Sequence, residues 1–338
     1  MKLCIIIPAY NEDTTICAAV FSAYRAGMKP EDVYVVDDAS TDGTADLADQ
    51  MRANVISLSH KGKAGAIKWV LDHCDLSRYD WIGVLDADST LSDGYLRAME
   101  KGMARHPDAV VLCGAPRSSP YNWLTAWRAV EYAISLGIYR QAQAAMSAIT
   151  VAPGCASLYR ADTFKSLDFS GGTLVEDMDW TMQIHRRGLR LAYVPDAVVS
   201  TQDPGTISDY IGQISRWYRG TWQVMKRHRL CRHTQPIDWE MGLLAGEGLL
   251  FAVCVALLPL FLWFAPLVTG TVLVLDQVLL LSITLLVALR LRRWDILMAF
   301  PLFSIPRVCN TFVFLSTFVT SLRTTAITPW FSVRRRIA

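Results

Sequence analysis

The sequence predicts an α/β fold, with a mostly parallel, Rossmann-like sheet domain followed by an α-helical transmembrane region. Short runs rich in β-branched residues alternate with helical patterns in the first part of the chain, which is typical of βαβ units and a parallel sheet. Residues 243–322 are almost free of charge, whereas residues 1–240 have the mixed composition of a soluble α/β domain. The high hydrophobic fraction of 52% is therefore concentrated towards the end of the chain.

The elements of the sheet domain are predicted from hydrophobic periodicity and from the residues that end each run. Buried strands are expected at residues 3–7, 33–36, 55–58, 81–85 and 109–113. Helices are expected between them at residues 12–25, 44–51, 63–73 and 91–105, and a longer helical stretch follows at 122–146. A turn and a strand at 153–160 precede two further helices, at 176–187 and at about 208–226.

Polar side chains follow three of these strands, at residues 8–12, 37–40 and 86–89. Because ligands of open α/β sheets bind outside the carboxyl ends of the strands, we expect the three segments to meet in one crevice. Asp86 and Asp88 alternate as the chain leaves a strand, so they can present two carboxylates to one hard cation beside a diphosphate. A helix start at residues 62–65 can also meet an anion.

Several other kinds of site are excluded by what the chain lacks. No G-x-G-x-x-G follows the first strand and no G-x-x-x-x-G-K-[ST] occurs, which argues against a dinucleotide-binding Rossmann domain and a P-loop enzyme. The eight cysteines form no C-x-x-C pair and the six histidines are scattered, so no zinc site is expected. The net charge of +2 does not indicate nucleic-acid binding. The first apolar run is short and Pro8 follows it, so we expect no signal peptide and a cytosolic sheet domain.

Acidic residues stand at the start of the helix predicted at 176–187. Free N–H groups in a first helical turn favour the charged form of a carboxylate, and a charged carboxylate can accept a proton from a hydroxyl. Asp177, together with Glu176, is therefore a candidate catalytic group, with Asp177 as general base. The alternative is that both residues only cap the helix. Gly154 would let the backbone approach a ligand, unless it is an ordinary turn glycine.

Gln213, Arg216 and Trp217 lie three and four residues apart, so they share one face of the helix predicted at 208–226. A forked cation beside a flat aromatic ring suits a phosphate next to a sugar. The alternative is a half-buried amphipathic surface. Apolar and aromatic residues recur at helical spacing on the same helix, with basic residues beside them, which predicts a helix that lies on a membrane surface.

Two apolar segments, at residues 243–264 and 267–289, are long enough to cross a bilayer. Arginines at 290, 292 and 293 place the end of the second segment in the cytosol by the positive-inside tendency. A third segment, at 296–322, is interrupted by prolines, Arg307 and Asn310, and we expect a broken helix that packs on the other spans or lies in the interface. The predicted domains are residues 1–205 for the sheet domain, 206–240 for the interface helix, 241–322 for the membrane region and 323–338 for a basic, cytosolic tail.

Five motifs occur in a fixed order: P-A-Y-N-E at 8–12, D-D-A-S at 37–40, D-A-D at 86–88, E-D-M-D at 176–179 and Q-I-S-R-W at 213–217. In this order they resemble the membrane-bound family 2 glycosyltransferases with a GT-A fold, although Val175 replaces the threonine of the family's T-E-D element. The processive subgroup is the most similar, namely the poly-N-acetylglucosamine, chitin-oligosaccharide, hyaluronan and cellulose synthases. The resemblance covers nearly all of residues 1–230, and the membrane region matches only in general character.

The resemblance implies an inverting transfer of a sugar from a UDP-sugar to a hydroxyl acceptor, with Mg²⁺ or Mn²⁺ as cofactor. It implies a role for each residue of the matching motifs. Pro8, Tyr10, Glu12 and Asp38 would hold the uridine, Lys63 would lie near the donor, and Asp86 and Asp88 would handle the diphosphate and its metal, with Asp88 as the main ligand. Asp177 would be the base, Arg216 would meet the diphosphate, and Trp217 would form the floor of the acceptor site. Gly154 and Gln213 would lie with them at the acceptor and diphosphate site.

We expect the chain to depart from the polymerases, with no transmembrane helix before the catalytic domain and only two or three apolar segments after it. The acceptor is therefore either a growing glycan or a membrane lipid, which would be a glycolipid or a polyprenyl phosphate. A homo-oligomer would complete a path for a glycan. A third alternative is a nucleotide-sugar-binding membrane subunit without catalysis, but Asp88 and Asp177 are both present. We expect an integral membrane protein, in the inner or plasma membrane if the chain is bacterial.

Overall fold

The computed structural model describes residues 2–170, 172–230 and 232–323, so nearly all of the predicted basic tail at 323–338 lies outside the described residues. Within this part of the chain there are two compact units. The sheet unit contains residues 2–117 and 140–202, and the helical unit contains residues 118–139 and 203–323. The predicted boundary near residue 205 is close to the second junction. The segment at 118–139, which the sequence assigned to the sheet domain, instead belongs to the helical unit.

The sheet unit is built on one eight-stranded sheet with the strand order β3-β2-β1-β4-β7-β6-β8-β5. The strands are β1 (Leu3–Ala9), β2 (Val33–Asp37), β3 (Asn54–Ser57), β4 (Trp81–Val84), β5 (Ser89–Leu91), β6 (Ala109–Ser118), β7 (Ser157–Arg160) and β8 (Arg190–Thr201). Strands β3, β2, β1 and β4 pair in parallel, as expected from βαβ units. The predicted α/β class with a mostly parallel, Rossmann-like sheet is confirmed.

The described residues form fourteen α-helices. In chain order they are α1 (Ile16–Ala26), α2 (Thr44–Gln50), α3 (Gly62–His73), α4 (Tyr95–Arg105), α5 (Trp123–Ile134), α6 (Arg140–Ala145), α7 (Ala161–Lys165), α8 (Glu176–Arg186), α9 (Ile207–Arg227), α10 (Pro236–Ala256), α11 (Leu258–Phe264), α12 (Pro266–Leu291), α13 (Trp294–Ala299) and α14 (Ser304–Arg323). The stretch predicted at 122–146 is divided by a π-helical segment, Ser135–Tyr139, which ends at the junction between the two units.

The sheet is buried on both faces because helices cover each side. In β1, Ile5 and Ile7 contribute to one hydrophobic core while Cys4 and Ile6 contribute to the other, since successive side chains of a strand point to opposite faces. This burial accounts for the continuous apolar run that identified the strand in the sequence. The polar segments after β1, β2 and β4 consequently lie together at the carboxyl edge of the parallel half of the sheet.

The other half of the sheet contains antiparallel pairs, which the hydrophobic periodicity did not predict. Strand β7 runs antiparallel to both β4 and β6, and β5 runs antiparallel to β8. Strand β5 lies where the sequence predicted the start of a helix at residue 91, and helix α4 begins only at Tyr95. Three residues are too few for a periodicity signal, so the pairing with β8 determines the conformation of β5.

Three helices of the helical unit, α10, α12 and α14, are long and apolar enough to cross a membrane. The first predicted span is divided into α10 and α11, and Pro259 lies in the first turn of α11, where a proline is tolerated. The third segment is broken, as expected. It consists of α13, a short 3₁₀ turn that contains Pro301, and α14, whose first turn contains Pro306.

Helix α9 lies along α14 in the same direction. The Tyr210 hydroxyl donates to Asn310 Oδ1 at 2.7 Å, and the Trp222 indole N–H donates to Thr317 Oγ1 at 3.3 Å. The Lys226 ammonium donates to the Ser321 carbonyl near the end of α14. The apolar and aromatic residues of this helix were expected to lie on a membrane surface, but two of them, Tyr210 and Trp222, are buried within the helical unit. Their helical spacing reflects packing against α14.

Candidate active site

The loop after β2 is fixed by Asp38, whose side chain is buried. The backbone N–H groups of Lys61 and Gly62 donate to Asp38 Oδ1 and Oδ2 at 2.6 and 2.8 Å, and His60 Nδ1 lies 2.9 Å from Oδ2. These bonds satisfy N–H groups at the start of α3, where a helix leaves its first donors without partners. Asp38, which the resemblance assigns to the uridine, therefore also positions the helix that carries Lys63.

The loop after β1 carries the first motif. Glu12 is buried, and its Oε2 accepts a hydrogen bond from the Thr15 hydroxyl at 2.8 Å. Tyr10 is 45% exposed, and its ring centroid lies 4.9 Å from that of His60. Pro8 is the last but one residue of β1, two residues before Tyr10. Tyr10 and His60 thus present aromatic surface on the loops that follow β1 and precede α3, which suits stacking on a planar base.

Lys63 joins two of the acidic motifs. Its Nζ lies 2.5 Å from Asp86 Oδ1 and 3.2 Å from Glu176 Oε1. Burial alone would lower the pKa of Lys63, but attraction to Asp86 and Glu176 outweighs burial and raises it above its usual range. Lys63 is therefore a fixed positive charge between the end of β4 and the start of α8. Nothing in the local sequence of Lys63 and Glu176 indicated this contact, because the two residues are far apart in the chain.

Asp177 lies in the first turn of α8, beside Gly154. Its Oδ2 accepts a hydrogen bond from the Gly154 N–H at 3.2 Å, and its Oδ1 accepts one from the Met178 N–H at 2.8 Å. Removal from water and the negative charge of Glu176 raise the pKa of Asp177 to about 6, although Lys63 and the two N–H groups act in the opposite direction.

The N–H groups of a helix start were expected to favour the charged form of Asp177 and so to lower its pKa, but its pKa is raised. The N–H groups of the first turn do contribute, but burial and the adjacent Glu176 have the larger effect. A carboxyl with a pKa near 6 is still ionised at neutral pH, and it is a stronger proton acceptor than a solvent-exposed aspartate. The general-base role of Asp177 therefore stays a prediction, and the electrostatic environment of the carboxyl differs from the one expected.

The space beside Gly154 is tight. A Cβ at this position would lie 3.0 Å from Lys63 Nζ and 3.6 Å from Asp177 Oδ2. A side chain here would meet the Lys63 ammonium, which would have to shift by a few tenths of an ångström. The backbone at Gly154 thus lies within hydrogen-bonding distance of the Asp177 carboxylate, and its approach to a ligand stays a prediction.

The acidic residues after β4 suit a hard divalent cation. Asp86 and Asp88 are both half-buried, and Asp88 Oδ1 accepts a hydrogen bond from the Ser89 hydroxyl at 3.1 Å. Among the described residues, no group of three or more His, Cys, Asp or Glu side chains could hold a metal ion. Mg²⁺ and Mn²⁺ sites of this kind use one or two carboxylates and complete their shell with phosphate oxygens and water. The oxygen donors present therefore fit a metal that arrives with a diphosphate.

The remaining predicted residues, Gln213, Arg216 and Trp217, lie on α9 in the helical unit. The Arg128 guanidinium lies 4.9 Å from the Trp217 ring centroid and forms ion pairs with Glu131 at 2.6 Å and with Asp203 at 3.2 Å. The cation–π contact restrains the indole.

Arg128 and Asp203 are both buried in the helical unit, and neither was predicted from the sequence. The only sequence signal was the spacing of Arg128 and Glu131, which are three residues apart on one helix.

Comparison with known proteins gives the same assignment as the motifs. The family model described as glycosyltransferase like family 2 matches residues 2–220. Curated relatives include the poly-β-1,6-N-acetyl-D-glucosamine synthases of Staphylococcus aureus and Staphylococcus epidermidis, which are 24% and 23% identical over 229 residues. Each match covers 66% of this chain and 55% of the relative, so the chain spans about half the length of these relatives.

Among solved structures, the fold is similar to that of the mannosyltransferase PcManGT from Pyrobaculum calidifontis, determined in complex with GDP-Man and Mn²⁺. The TM-score is 0.67 at 18% identity, and the match covers 95% of this chain and 87% of the other. The GT-A fold implied by the motif order is thereby confirmed. With a family model that matches most of the sheet unit and continues through the Q-x-x-R-W motif of α9, the chain belongs to glycosyltransferase family 2.

Proposed function

We propose that this chain transfers a sugar, with inversion, from a UDP-sugar to a hydroxyl group of a growing glycan. The observation that carries the proposal is Asp177, a carboxyl with a pKa near 6 that lies beside the cationic Lys63 and the carboxylate Glu176. A proton acceptor next to a fixed positive charge suits the attack of a hydroxyl on a sugar whose leaving group is anionic. Support also comes from membership of a glycosyltransferase family.

Each side chain has a separate task in this proposal. Asp177 accepts the proton of the acceptor hydroxyl as the new glycosidic bond forms and the bond to the diphosphate breaks. Lys63 stabilises the negative charge of the departing diphosphate, and the resemblance of the Q-x-x-R-W motif assigns the same task to Arg216. Trp217 supports the acceptor sugar, and Gln213 contributes at the same site. Gly154 leaves room beside the base.

The donor is held by the loops that follow β1, β2 and β4. Tyr10 and Pro8 contact the uracil, and Asp38 and Glu12 bind the nucleoside through hydrogen bonds. Asp86 and Asp88 would hold a Mg²⁺ or Mn²⁺ ion, which would supply positive charge against the diphosphate. The support is the convergence of these loops at the carboxyl edge of the parallel strands, the usual ligand position in such sheets.

The proposed acceptor is a glycan because the chain is similar to poly-N-acetylglucosamine synthases. The test is to incubate purified, lipid-reconstituted protein with a panel of radiolabelled UDP-sugars and to measure UDP release and product size. We expect one UDP-sugar to support turnover and to yield a ladder or high-mass product that a glycan hydrolase degrades. A single organic-extractable glycolipid at long times would instead identify a lipid as the acceptor. Release of UDP with none of the UDP-sugars would contradict the proposed donor class.

We also propose that the chain crosses the membrane twice, with the sheet unit in the cytosol. Helices α10 and α11 form one crossing and α12 forms the other, whereas α14 lies with α9 at the cytosolic interface. The support is the side-by-side packing of α14 on a helix that carries Arg216, Arg219 and Lys226, which is too highly charged to cross.

Insertion of an epitope tests this arrangement. An epitope placed after Phe264 should be detected from outside intact cells, and one placed after Arg292 only after permeabilisation. Exposure of the second epitope on intact cells would refute the proposed orientation.

A further inference from the structure

The loop at residues 149–154 leads from α6 to Gly154, and side chains of α6 and α8 hold its backbone. The Ile149 carbonyl lies 2.8 Å from His185 Nε2, and the Val151 carbonyl accepts a hydrogen bond from the Arg140 guanidinium. The Ala152 N–H donates to Thr181 Oγ1 at 2.8 Å. The conformation of this loop is therefore determined by contacts outside the loop, at several positions before Gly154.

Thr181 differs from the other two anchoring residues because it is also bonded to the backbone of Asp177. Its hydroxyl donates to the Asp177 carbonyl at 2.6 Å while it accepts the Ala152 N–H. The side chain is fully buried, so water does not compete for either bond. One hydroxyl thus connects the first turn of α8 to the loop that delivers the Gly154 N–H to the Asp177 carboxylate.

We propose that Thr181 is a positioning residue that keeps the 149–154 loop in register with Asp177, so that the Gly154 N–H stays aimed at the proposed base. The inference rests on the proposed function, because it assigns to Thr181 an effect on the chemistry of Asp177. In this assignment Thr181 itself does not contact the reacting groups. Its hydroxyl acts through the backbone at Asp177 on one side and through the Ala152 N–H on the other.

The alternative is that Thr181 only stabilises α8. Serine, threonine and valine separate the two roles, since valine keeps the shape of threonine without the hydroxyl and serine keeps the hydroxyl without the methyl group. In Thr181→Val the Ala152 N–H loses its acceptor, and a buried N–H without a partner drives the loop to rearrange. A displacement of about 1 Å near a catalytic group lowers a rate by up to about 10²-fold.

The experiment compares Thr181→Val and Thr181→Ser with the wild type in the full, lipid-reconstituted protein. We expect kcat of Thr181→Val to fall by about tenfold to a hundredfold with a nearly unchanged KM for the donor, and Thr181→Ser to recover most of the rate. Thr284→Val is the matched control, because Thr284 is a fully buried helical threonine whose hydroxyl also donates to the carbonyl four residues before it. Thermal unfolding confirms that each variant is folded.

A second readout separates positioning from stability. The Gly154 N–H lowers the pKa of Asp177, so its loss should move the acidic limb of the rate profile to higher pH in Thr181→Val. The titratable groups that interact with Asp177 include Glu176 on α8, Lys63 on α3, Arg140 on α6, Cys155 before β7 and Tyr159 on β7. None of them is altered by the substitution. In Thr181→Ser the acidic limb of the rate profile should stay at the same pH as in the wild type.

Two results would overturn the proposal. One is a folded Thr181→Val protein with wild-type kcat and pH profile. The other is a folded Thr181→Ser protein that loses as much activity as Thr181→Val. If Thr181→Val does not fold, Thr181→Ala removes the same hydroxyl and takes its place in the comparison. Asp177→Asn distinguishes failure of the proposed function from failure of the Thr181 assignment. If Asp177 is not the base, Asp177→Asn retains its activity whatever the Thr181 variants show.

Discussion

Replacement of Asp177 by asparagine should lower the rate of sugar transfer by a factor on the order of 10² to 10⁴, the usual range for the loss of a general base. Asparagine keeps the shape of the side chain and can still accept the Gly154 N–H through its amide oxygen. It cannot accept a proton from the acceptor hydroxyl. Donor binding should be almost unchanged, and titration with the UDP-sugar measures it independently of turnover.

The pH profile gives the same prediction a second test. Only the ionised form of Asp177 accepts a proton, so the wild-type rate should fall as the pH drops below about 6, the pKa of this group. The residual rate of Asp177→Asn should lack this limb. Asp162→Asn is a matched control, since Asp162 is an exposed acid in the first turn of another helix, α7. If donor binding falls together with the rate in Asp177→Asn, Asp177 holds the donor or the structure and is not the base.

Replacement of Asp88 by alanine should abolish transfer in the presence of Mg²⁺ or Mn²⁺ while the protein remains folded. A bound divalent ion stabilises the charge that develops in the transition state by several kcal/mol. A loss of about 3 kcal/mol lowers the rate by a factor of roughly 10². The expected loss is therefore of that order or larger. Rates measured over a metal titration, together with thermal unfolding of the variant, provide the test.

The matched control for Asp88 is Asp93→Ala, because Asp93 is an exposed carboxylate a few residues later that pairs only with Arg25 among the contacts of the described residues. Asp93→Ala should respond to metal as the wild type does. Chelation with EDTA should stop the wild-type enzyme, and added metal should restore it. Full activity in EDTA would show that the carboxylates at the end of β4 have no metal-dependent role.

Local patterns were sufficient for the elements that carry the site. The apolar run of β1 and the acidic start of α8 were both located to within a few residues, since burial and helix capping depend on neighbouring residues in the chain. The division of the first membrane segment into α10 and α11 was not foreseen, although Pro259 is a signal for it.

These local patterns did not predict the antiparallel strand pairs. Strand β5 has three residues and pairs with β8, which the sequence did not predict at all. A strand whose inward and outward residues do not alternate clearly has no periodicity of its own, so its pairing depends on distant neighbours. The same reason explains why Arg128 was not predicted from the sequence. It is a buried cation whose partners Asp203 and Trp217 come from later parts of the chain.

By itself, the sequence determined the class of fold, the order of the motifs and the identity of the acidic and aromatic residues, because these follow from residue type and local spacing. Only the tertiary structure decided that Lys63 lies between Asp86 and Glu176, that the Gly154 N–H meets the Asp177 carboxylate, and that the pKa of Asp177 is raised. A pKa depends on burial and on all nearby charges, and those charges come from segments that meet only after the chain has folded.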